Sequence, residues 1–295
     1  MGLGLLGRGV GDAEFLARHE ADLTVTDLKA NKELRKSVLR LKKFKNIEFH
    51  LGEHRLEDFR NRDFILKAAG VPLDSLFIAE ARKNRIPIEM DASLFFKLMP
   101  QGVTFIGVTG TRGKTTTAYL IFEILRKFVA VGLLQKCSSP PAVKPKVFLA
   151  GNIKNTATLP LLDKVKAGDF VVAELDSWQL QGFGDSRISP HIAVFTTFLP
   201  DHMNYYKGDM ARYFQDKANI FKFQKRGDVL ILGEQVEKMT RLNLGDKKGS
   251  TFKNLKSKKI SARAADWPKN WQLKIIGEHN RGNAACALAA ARVLK

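Results

Sequence analysis

One short stretch, GVTGTRGKTTT beginning at Gly107, carries the side chains that hold phosphate groups. Gly110 and Gly113 allow a tight turn whose backbone N–H groups can point at an anion, and a following helix would add the positive end of its dipole. Lys114 is placed to reach the outer phosphates of a nucleoside triphosphate, and the hydroxyl of Thr115 is suited to Mg²⁺. The stretch therefore predicts an ATP site.

The elements that must position this turn are visible on both sides of it. Residues 103–108 (VTFIGV) are mostly apolar and β-branched, which predicts a buried strand. After the turn, apolar residues recur at the spacing of one helix face, at Ala118, Ile121, Ile124, Leu125 and Phe128. Val108 stands where the strict P-loop pattern has glycine. A glycine-rich turn without a ligand is the alternative, but it does not account for strand, Gly-Lys-Thr and amphipathic helix together.

Length and composition indicate a globular protein of about two domains. The chain has 295 residues, of which 44% are hydrophobic and 27% charged. No apolar stretch approaches the ~20 residues of a membrane span, and the N-terminus has no signal-peptide pattern. The two cysteines, Cys137 and Cys286, have no metal-binding spacing. We therefore expect reduced thiols, no membrane span and a cytoplasmic location.

The net charge of +19 predicts attraction to anions in general. Much of the charge lies in residues 31–45 and 246–259. Apolar residues in the first tract recur at helical spacing, which indicates an amphipathic helix with a solvated basic face. There is no zinc-finger spacing and no basic strand studded with aromatic residues. Nucleic acid is therefore not the expected partner, because anionic small substrates suffice.

The first residues contain a second glycine pattern. Residues 2–7 (GLGLLG) match the Gly-x-Gly-x-x-Gly fingerprint of dinucleotide-binding folds, and Asp27 ends a predicted strand twenty residues later. The fingerprint requires a strand before it, and only Met1 precedes it here. Either a first strand has been cut away, or the turn belongs to an imperfect version of the motif. The pattern supports a Rossmann-like layer that binds a nucleotide, without saying which one.

The remaining chain alternates short apolar runs with helical ones, which predicts an α/β fold with a mostly parallel sheet. We expect a Rossmann-like N-terminal domain at residues 1–99, followed by a P-loop-type central ATPase domain at residues 100–295. Glu174 ends a predicted buried strand, so it should face the crevice where such sheets bind ligands. Further strands are predicted at 147–153, 191–197 and 227–232, and helices at 210–221 and 280–294.

Four segments together carry a resemblance to a known family. They are residues 109–116 (TGTRGKTT), 174–180 (ELDSWQL), 201–204 (DHMN) with Tyr213 and Lys217, and 277–283 (GEHNRGN). In this order, and over nearly the whole chain, they resemble the Mur ligases, ATP-dependent enzymes that form the amide bonds of the peptidoglycan stem peptide. The second segment and the Gly-Asn-Ile at 151–153 are most similar to the members that add D-glutamate to UDP-N-acetylmuramoyl-L-alanine.

The resemblance implies a reaction, its cofactors and its residues. ATP phosphorylates the substrate carboxylate, the amine of D-glutamate attacks the acyl phosphate, and two Mg²⁺ ions assist. It implies ATP binding by Gly110, Thr111, Arg112, Gly113, Lys114, Thr115, Thr116, Asn280 and Asn283, with Asn283 at the adenine. It implies metal binding by Thr115, Glu174, His202 and Lys217 (as a carbamate), and catalytic roles for Lys114, Glu174, His202 and Lys217. The substrate-binding residues would be Leu5, Leu6, Asp27, Asn152, Ser177 and His202, with Asp27 at the uracil nucleotide.

The chain also departs from that family. Asp176, Asn204, Leu6 and Leu28 replace the residues usual at these positions among the D-glutamate-adding members. The family's third domain should begin where this chain stops, so we expect a fragment that does not turn over as a ligase by itself. The alternatives are another Mur ligase or a folylpolyglutamate-type ligase, or a non-catalytic nucleotide- or nucleic-acid-binding protein. A dehydrogenase explains only the N-terminal glycines.

Overall fold

The structure is a computed structural model that describes residues 1–5, 7–134, 144–153, 156–241, 252, 255–268 and 270–294. The chain divides into two compact units. Unit 1 comprises Met1–Met99 and Ile153–Lys164, and unit 2 comprises Pro100–Asn152 and Val165–Lys295. Leu6 and Cys137, both named from the sequence, lie outside the described residues.

Unit 1 contains two separate sheets, each of two parallel strands. One sheet pairs β1 with β2, and the other pairs β3 with β4. The basic tract predicted to be helical forms α2, with Leu34 and Leu41 fully buried. The elements in chain order are α1 (Arg8–Arg18), β1 (Leu23–Asp27), α2 (Asn31–Leu41), β2 (Ile47–Leu51), β3 (Ile65–Leu66), α3 (Leu76–Lys83), β4 (Ile88–Glu89) and α4 (Asp91–Leu98).

Unit 2 is built on one six-stranded sheet whose strand pairs are all parallel. The prediction of an α/β fold with a mostly parallel sheet is confirmed. The strand order is β10-β9-β8-β5-β7-β6. The elements are β5 (Thr104–Thr109), α5 (Lys114–Ala130), β6 (Val147–Gly151), β7 (Phe170–Glu174), α6 (Ser177–Asp185), β8 (Ile192–Phe195), α7 (Met203–Tyr206), α8 (Met210–Lys222), β9 (Val229–Gly233), α9 (Glu234–Arg241), β10 (Lys258–Ala262) and α10 (His279–Val293).

The core of unit 2 lies between the central strands and two helices. Ile106 and Val108 of β5 are fully buried, together with Ile121 and Leu125 of α5 and three alanines of α10, Ala287, Ala290 and Ala291. Small alanine side chains let α10 pack closely, as its composition indicates. Burial raises the pKa of the Cys286 thiol in this helix to about 12, so the thiol stays protonated. Among the described residues, no helix has the length and apolar composition needed to cross a bilayer.

The sheet order decides where a ligand can lie. β5 has β7 on one side and β8 on the other, so the chain leaves β5 toward one edge of the sheet and later returns to its opposite side. In open α/β sheets, ligands bind at such a reversal, beyond the carboxyl ends of the strands. The turn after β5, the end of β7 at Glu174 and the end of β8 at Phe195 all lie at this edge.

Candidate functional site

The turn that joins β5 to α5 has a shape that only glycine permits. Gly110 has a φ of +151° and Gly113 a φ of +82°. A Cβ on Gly110 would lie 2.0 Å from the Oγ1 of Thr196, and one on Gly113 would lie 2.1 Å from the Oδ1 of Asn283. The two glycines are therefore required both by backbone angle and by close packing.

The two residues that follow β8 hold this turn by hydrogen bonds. The backbone N–H of Thr111 donates to the carbonyl of Thr197 at 2.8 Å, and the hydroxyl of Thr196 donates to the carbonyl of Arg112 at 2.6 Å. The N–H of Arg112 donates to the Oγ1 of Thr197 at 2.9 Å. Sequence reasoning missed these two threonines. The sequence pattern that could have identified them is a pair of polar residues directly after a predicted buried strand.

Thr115 and Glu174 meet across the turn. The Thr115 hydroxyl donates to the Oε2 of Glu174 at 2.7 Å. Thr115 is exposed, whereas Glu174 is 4% exposed at the end of β7. Hydroxyl and carboxylate oxygens are the hard ligands that Mg²⁺ prefers, so this pair fits the ion. Within the described ranges, no three His, Cys, Asp or Glu side chains are grouped as a metal site.

Two lysines lie at the same turn. Lys114 donates to the carbonyl oxygens of Gly110 and Thr111, at 3.1 and 3.2 Å. Lys217 donates to the Gly110 carbonyl at 3.0 Å and is 2% exposed, with its Nζ 4.9 Å from the centre of the Tyr213 ring. Burial and, to a smaller extent, the nearby charge of Lys114 together lower the pKa of Lys217 to about 7, against the opposing effect of Asp176.

His202 lies close to this lysine, beside two aromatic rings. Its ring centre is 4.7 Å from that of Trp178 and 6.3 Å from that of Tyr213, the ring below Lys217. Its backbone has a φ of +54°, and its N–H donates to the Oδ1 of Asp201 at 2.9 Å. Both His202 and Lys217 therefore lie next to the ring of Tyr213.

The start of α6 and the end of β6 supply the remaining predicted residues of unit 2. Asp176 caps α6, because its Oδ1 accepts from the N–H of Gln179 at 2.7 Å. Ser177 is the first residue of α6 and is buried. The N–H of Asn152 donates to the carbonyl of Glu174 at 2.7 Å, directly after β6. All three therefore lie along the edge that carries the turn.

A buried polar network next to Lys217 is absent from the sequence predictions. The hydroxyl of Tyr206 and the amide of Gln181 donate to the Oδ2 of Asp216, at 2.9 and 2.8 Å. Burial is the main cause that raises the pKa of Asp216. The Nε1 of Trp178 and the Oε1 of Gln181 are buried without a hydrogen-bond partner. Such orphaned polar atoms mark this region as one that could take a polar ligand.

Asn280 and Asn283 lie in the first turns of α10 and are 5% and 6% exposed. The Asn283 amide donates to the Oδ1 of Asn280 at 2.9 Å, and the Asn280 amide donates to the carbonyl of Ile276 at 2.8 Å. Because Asn283 also packs against Gly113, the pair supports the phosphate turn. Contact with adenine stays a prediction.

Two of the predicted residues of unit 1, Leu5 and Asp27, lie at the glycine turn that precedes α1. Leu5 is 60% exposed. Asp27 is 6% exposed, and its two carboxylate oxygens accept from the N–H groups of Gly4 and Lys29, at 3.0 and 2.9 Å. Asp27 therefore ties the turn to the end of β1. A contact with a uracil nucleotide stays a prediction.

Two ligases are similar to this chain in sequence. The UDP-N-acetylmuramoylalanine–D-glutamate ligase of Roseiflexus sp. (strain RS-1) is 34% identical over 99% of this chain and 63% of its own length. The ligase of the same name from Borreliella burgdorferi (strain ZS7) is 36% identical over 78% of this chain and 46% of its own length. The chain thus spans between about half and two thirds of these relatives.

A solved structure shares the fold. The UDP-N-acetylmuramate:L-alanyl-gamma-D-glutamyl-meso-diaminopimelate ligase from Neisseria meningitides superimposes with a TM-score of 0.58 at 17% identity, covering 99% of this chain and 91% of that one. Residues 108–291 match the Mur ligase middle domain, which includes the turn, Glu174, His202, Lys217 and both asparagines of α10. The chain belongs to the Mur ligase family.

Proposed function

We propose that this chain carries the nucleotide- and substrate-binding residues of an ATP-dependent ligase that adds D-glutamate to UDP-N-acetylmuramoyl-L-alanine in peptidoglycan precursor synthesis. The names of its relatives support this substrate pair. The observation that carries the proposal is the contact between Thr115 and Glu174 at 2.7 Å, at the turn where two lysines converge. In a phosphoryl-transfer site, these are the groups needed to offset the charge of a nucleoside triphosphate.

ATP is the nucleotide we propose for the turn. The N–H groups at the start of α5, from Gly113 to Thr116, and the dipole of that helix would favour an anion at this end, where the phosphates would lie. Thr115 and Glu174 would hold Mg²⁺, which would neutralise charge on the phosphate oxygens. Lys114, now hydrogen-bonded to two carbonyls, would exchange those bonds for phosphate oxygens.

In the proposed reaction, ATP supplies the phosphoryl group that activates the carboxylate of the L-alanyl residue. The chain's part is to orient that carboxylate and to stabilise the charge that develops beside it. Asn152, Ser177 and His202 are the residues we propose for this orientation. The attacking amine would come from D-glutamate, and phosphate would leave.

Lys217 is proposed to act as a carbamate and so to serve as a ligand for a second Mg²⁺ with His202. A neutral lysine amine can add to CO₂, with loss of one proton, to give a carbamate anion. The pKa of Lys217, lowered to about 7 by burial, leaves the amine largely neutral at pH 8. Added negative charge would also be compensated by Lys114.

The nucleotide sugar is assigned to unit 1, with Leu5 and Asp27 at the uracil nucleotide. A cytoplasmic location is part of the same proposal, because the substrates are soluble nucleotide precursors. Nucleic-acid binding remains the rival that the charge of +19 allows.

Measurements of equilibrium binding distinguish the proposed substrate from the nucleic-acid alternative. Calorimetric titrations of the 295-residue chain with Mg²⁺ and a non-hydrolysable ATP analogue would use three ligands: UDP-N-acetylmuramoyl-L-alanine, UDP-N-acetylmuramic acid and UDP-N-acetylglucosamine. We expect affinity to fall in that order, by about tenfold or more between the first and the last. Equal affinity for all three would contradict the proposed substrate. Tighter binding of a labelled DNA duplex at 150 mM salt would favour the rival.

A further inference from the structure

The stretch of unit 1 that contains α2 is strongly basic. Residues 29–45 include eight Lys or Arg residues and a single acid, Glu33. Leu34 and Leu41 hold the helix against unit 1, because both are fully buried. The side of the helix that points away from these leucines is exposed and carries Lys32, Arg35, Lys36, Leu39 and Lys42. These five residues are called the basic face of α2 below.

Leu39 lies in the middle of the basic face and is 61% exposed. Residues three and four positions apart are neighbours on the surface of a helix. Arg35 and Lys36 precede Leu39 by four and three positions, and Lys42 follows it by three. An exposed apolar side chain is therefore surrounded by cations.

Ion pairs within the protein account for only part of this charge. Glu14 of α1 accepts hydrogen bonds from Arg40 and Lys43, both at 2.8 Å. The carboxylate of Glu33 instead accepts from the backbone N–H of Ala30 at 3.1 Å. Within the described ranges, the four cations of the basic face form no ion pair.

The stability of the helix does not explain these cations either. Lys32 and Lys36 are four positions apart, and like charges at this spacing destabilise a helix. Lys32 also lies in the first turn, where the positive end of the helix dipole disfavours a cation. Only Lys42, at the C-cap, is placed favourably for the dipole. The helix thus carries a repulsion that a bound anionic surface would relieve.

The combination of cations with an exposed leucine indicates which anionic surface fits. A phospholipid bilayer has anionic headgroups at its surface and an apolar layer directly beneath them. Lysine and arginine can keep their charges at the headgroups while a leucine reaches deeper. The backbone of a nucleic acid offers partners for the cations but none for Leu39. None of the five residues of the basic face is aromatic, so a base has no ring there on which to stack.

We propose that the basic face of α2 is a docking surface for an anionic phospholipid bilayer. Its four cations contact the headgroup phosphates, and Leu39 inserts at the boundary with the acyl chains. Each cation near such a surface strengthens binding by about fivefold. Binding through so few groups is reversible, and it weakens as salt screens the charges. This inference does not depend on the proposed ligase reaction.

Sedimentation with lipid vesicles tests the role of the cations. The wild-type chain is compared with Lys32→Gln/Lys36→Gln and with Lys222→Gln/Lys225→Gln, a control that removes the same charge from exposed positions of unit 2. We expect wild type and the control to bind phosphatidylglycerol vesicles, and the basic-face variant to bind them about tenfold more weakly or worse. Vesicles of phosphatidylcholine alone should bind none of the three. An equal loss in both double variants would show a general attraction to charge and would overturn the proposal.

A single substitution tests the insertion of the leucine. Leu39→Ser should weaken binding to phosphatidylglycerol vesicles by about fivefold or more, because burial of an apolar side chain is lost. Leu98→Ser, at the 55% exposed leucine that ends α4, is the matched control and should bind as wild type does. If Leu39→Ser binds the vesicles as tightly as wild type, no apolar insertion takes place and the proposal is wrong.

Two further measurements distinguish the bilayer from the other anions that this face could meet. Affinities for a labelled DNA duplex and for UDP-N-acetylmuramoyl-L-alanine are determined for wild type and Lys32→Gln/Lys36→Gln. We expect the affinity for the nucleotide sugar to be unchanged. A variant that loses affinity for DNA or for the nucleotide sugar, but keeps its affinity for vesicles, would assign the cations to that ligand and overturn the proposal. The urea midpoint of each variant verifies folding, and it should not fall, since removing like charges relieves repulsion.

Discussion

Lys114 and Lys217 donate hydrogen bonds to one shared acceptor, the carbonyl oxygen of Gly110, at 3.1 and 3.0 Å. Two ammonium groups on one carbonyl repel each other, and after burial, the larger cause, this repulsion also lowers the pKa of Lys217. An anion bound at the turn would relieve this repulsion. The pair therefore describes a site prepared for negative charge, in agreement with the proposed nucleotide.

Removing the charge of Lys114 should weaken nucleotide binding without unfolding the protein. A hydrogen bond to a charged group contributes about 1.5–3 kcal/mol, so Lys114→Ala should lower affinity for a fluorescent ATP analogue by roughly 10- to 100-fold. Lys127→Ala is the matched control, since this exposed lysine lies near the other end of α5. Undiminished affinity in a folded Lys114→Ala protein would contradict the assignment of the turn.

Lys217 should make stability depend on pH in a defined window. Its folded pKa of about 7 lies below the unfolded value of 10.5. Between these values the unfolded chain binds more protons, so this group makes the free energy of unfolding rise with pH, by up to about 1.4 kcal/mol per unit. Below pH 7 the destabilisation is present in full.

The Lys217→Met protein should lack that contribution. The gain in unfolding free energy of Lys217→Met over wild type, from urea titrations, should be larger at pH 7 than at pH 9. Lys222→Met, at the exposed end of the same helix, should show no such trend. If the gain in unfolding free energy from Lys217→Met is equal at both pH values, the pKa of Lys217 is not lowered in the folded protein, which would contradict this account.

The proposed carbamate has its own signature. With ¹³C-bicarbonate at pH 8 and Mg·ATP present, we expect a carbamate carbon signal in wild type that is lost in Lys217→Met. The physical basis is the neutral fraction of the buried amine. Wild-type protein without this signal at saturating bicarbonate would exclude Lys217 as a ligand of the second ion.

Gly113 and Asn283 should be energetically coupled. Alanine at position 113 needs a left-handed backbone, which costs about 1–2 kcal/mol, and its Cβ would lie 2.1 Å from the Asn283 Oδ1. Gly113→Ala should therefore lower both stability and ATP affinity. Adding Asn283→Ala should partly restore both in the double mutant. A double-mutant cycle in urea unfolding measures this, and strict additivity would contradict the packing.

The Asn283→Ala protein also separates two roles for the α10 asparagines. If Asn283 supports the turn, affinity for ATP and GTP should fall by the same factor. A selective loss for ATP would instead favour the predicted contact with adenine.

The parts of the site that follow from local sequence were predictable. The strand–turn–helix around Gly110 was expected from apolar periodicity and Gly-Lys-Thr, and it is observed as β5, the turn and α5. The position of Glu174 at the carboxyl end of β7 also follows, because a buried strand that ends in an acid presents it at the ligand edge of a parallel sheet.

Other features depend on which strands become neighbours, and local sequence does not determine that. The contact of Thr196 with the turn requires β8 to lie beside β5. The assignment of residues 153–164 to unit 1 depends on contacts such as the Leu159 N–H with the Oδ1 of Asp12, at 3.0 Å. A lysine on a helix is usually solvated, and only tertiary packing buries Lys217.

The central claim is that the turn binds ATP together with Mg²⁺ through Thr115 and Glu174, and its most direct test is the Mg²⁺ dependence of ATP affinity. The dissociation constant for ATP is measured with EDTA and with excess Mg²⁺, and the ratio of the two values is determined separately for wild type, Thr115→Val and Glu174→Gln. We predict that Mg²⁺ tightens wild-type binding by about tenfold or more, whereas in both variants the ratio falls close to one. A wild-type ratio near one, or variants that keep the full wild-type ratio while folded, would contradict the claim.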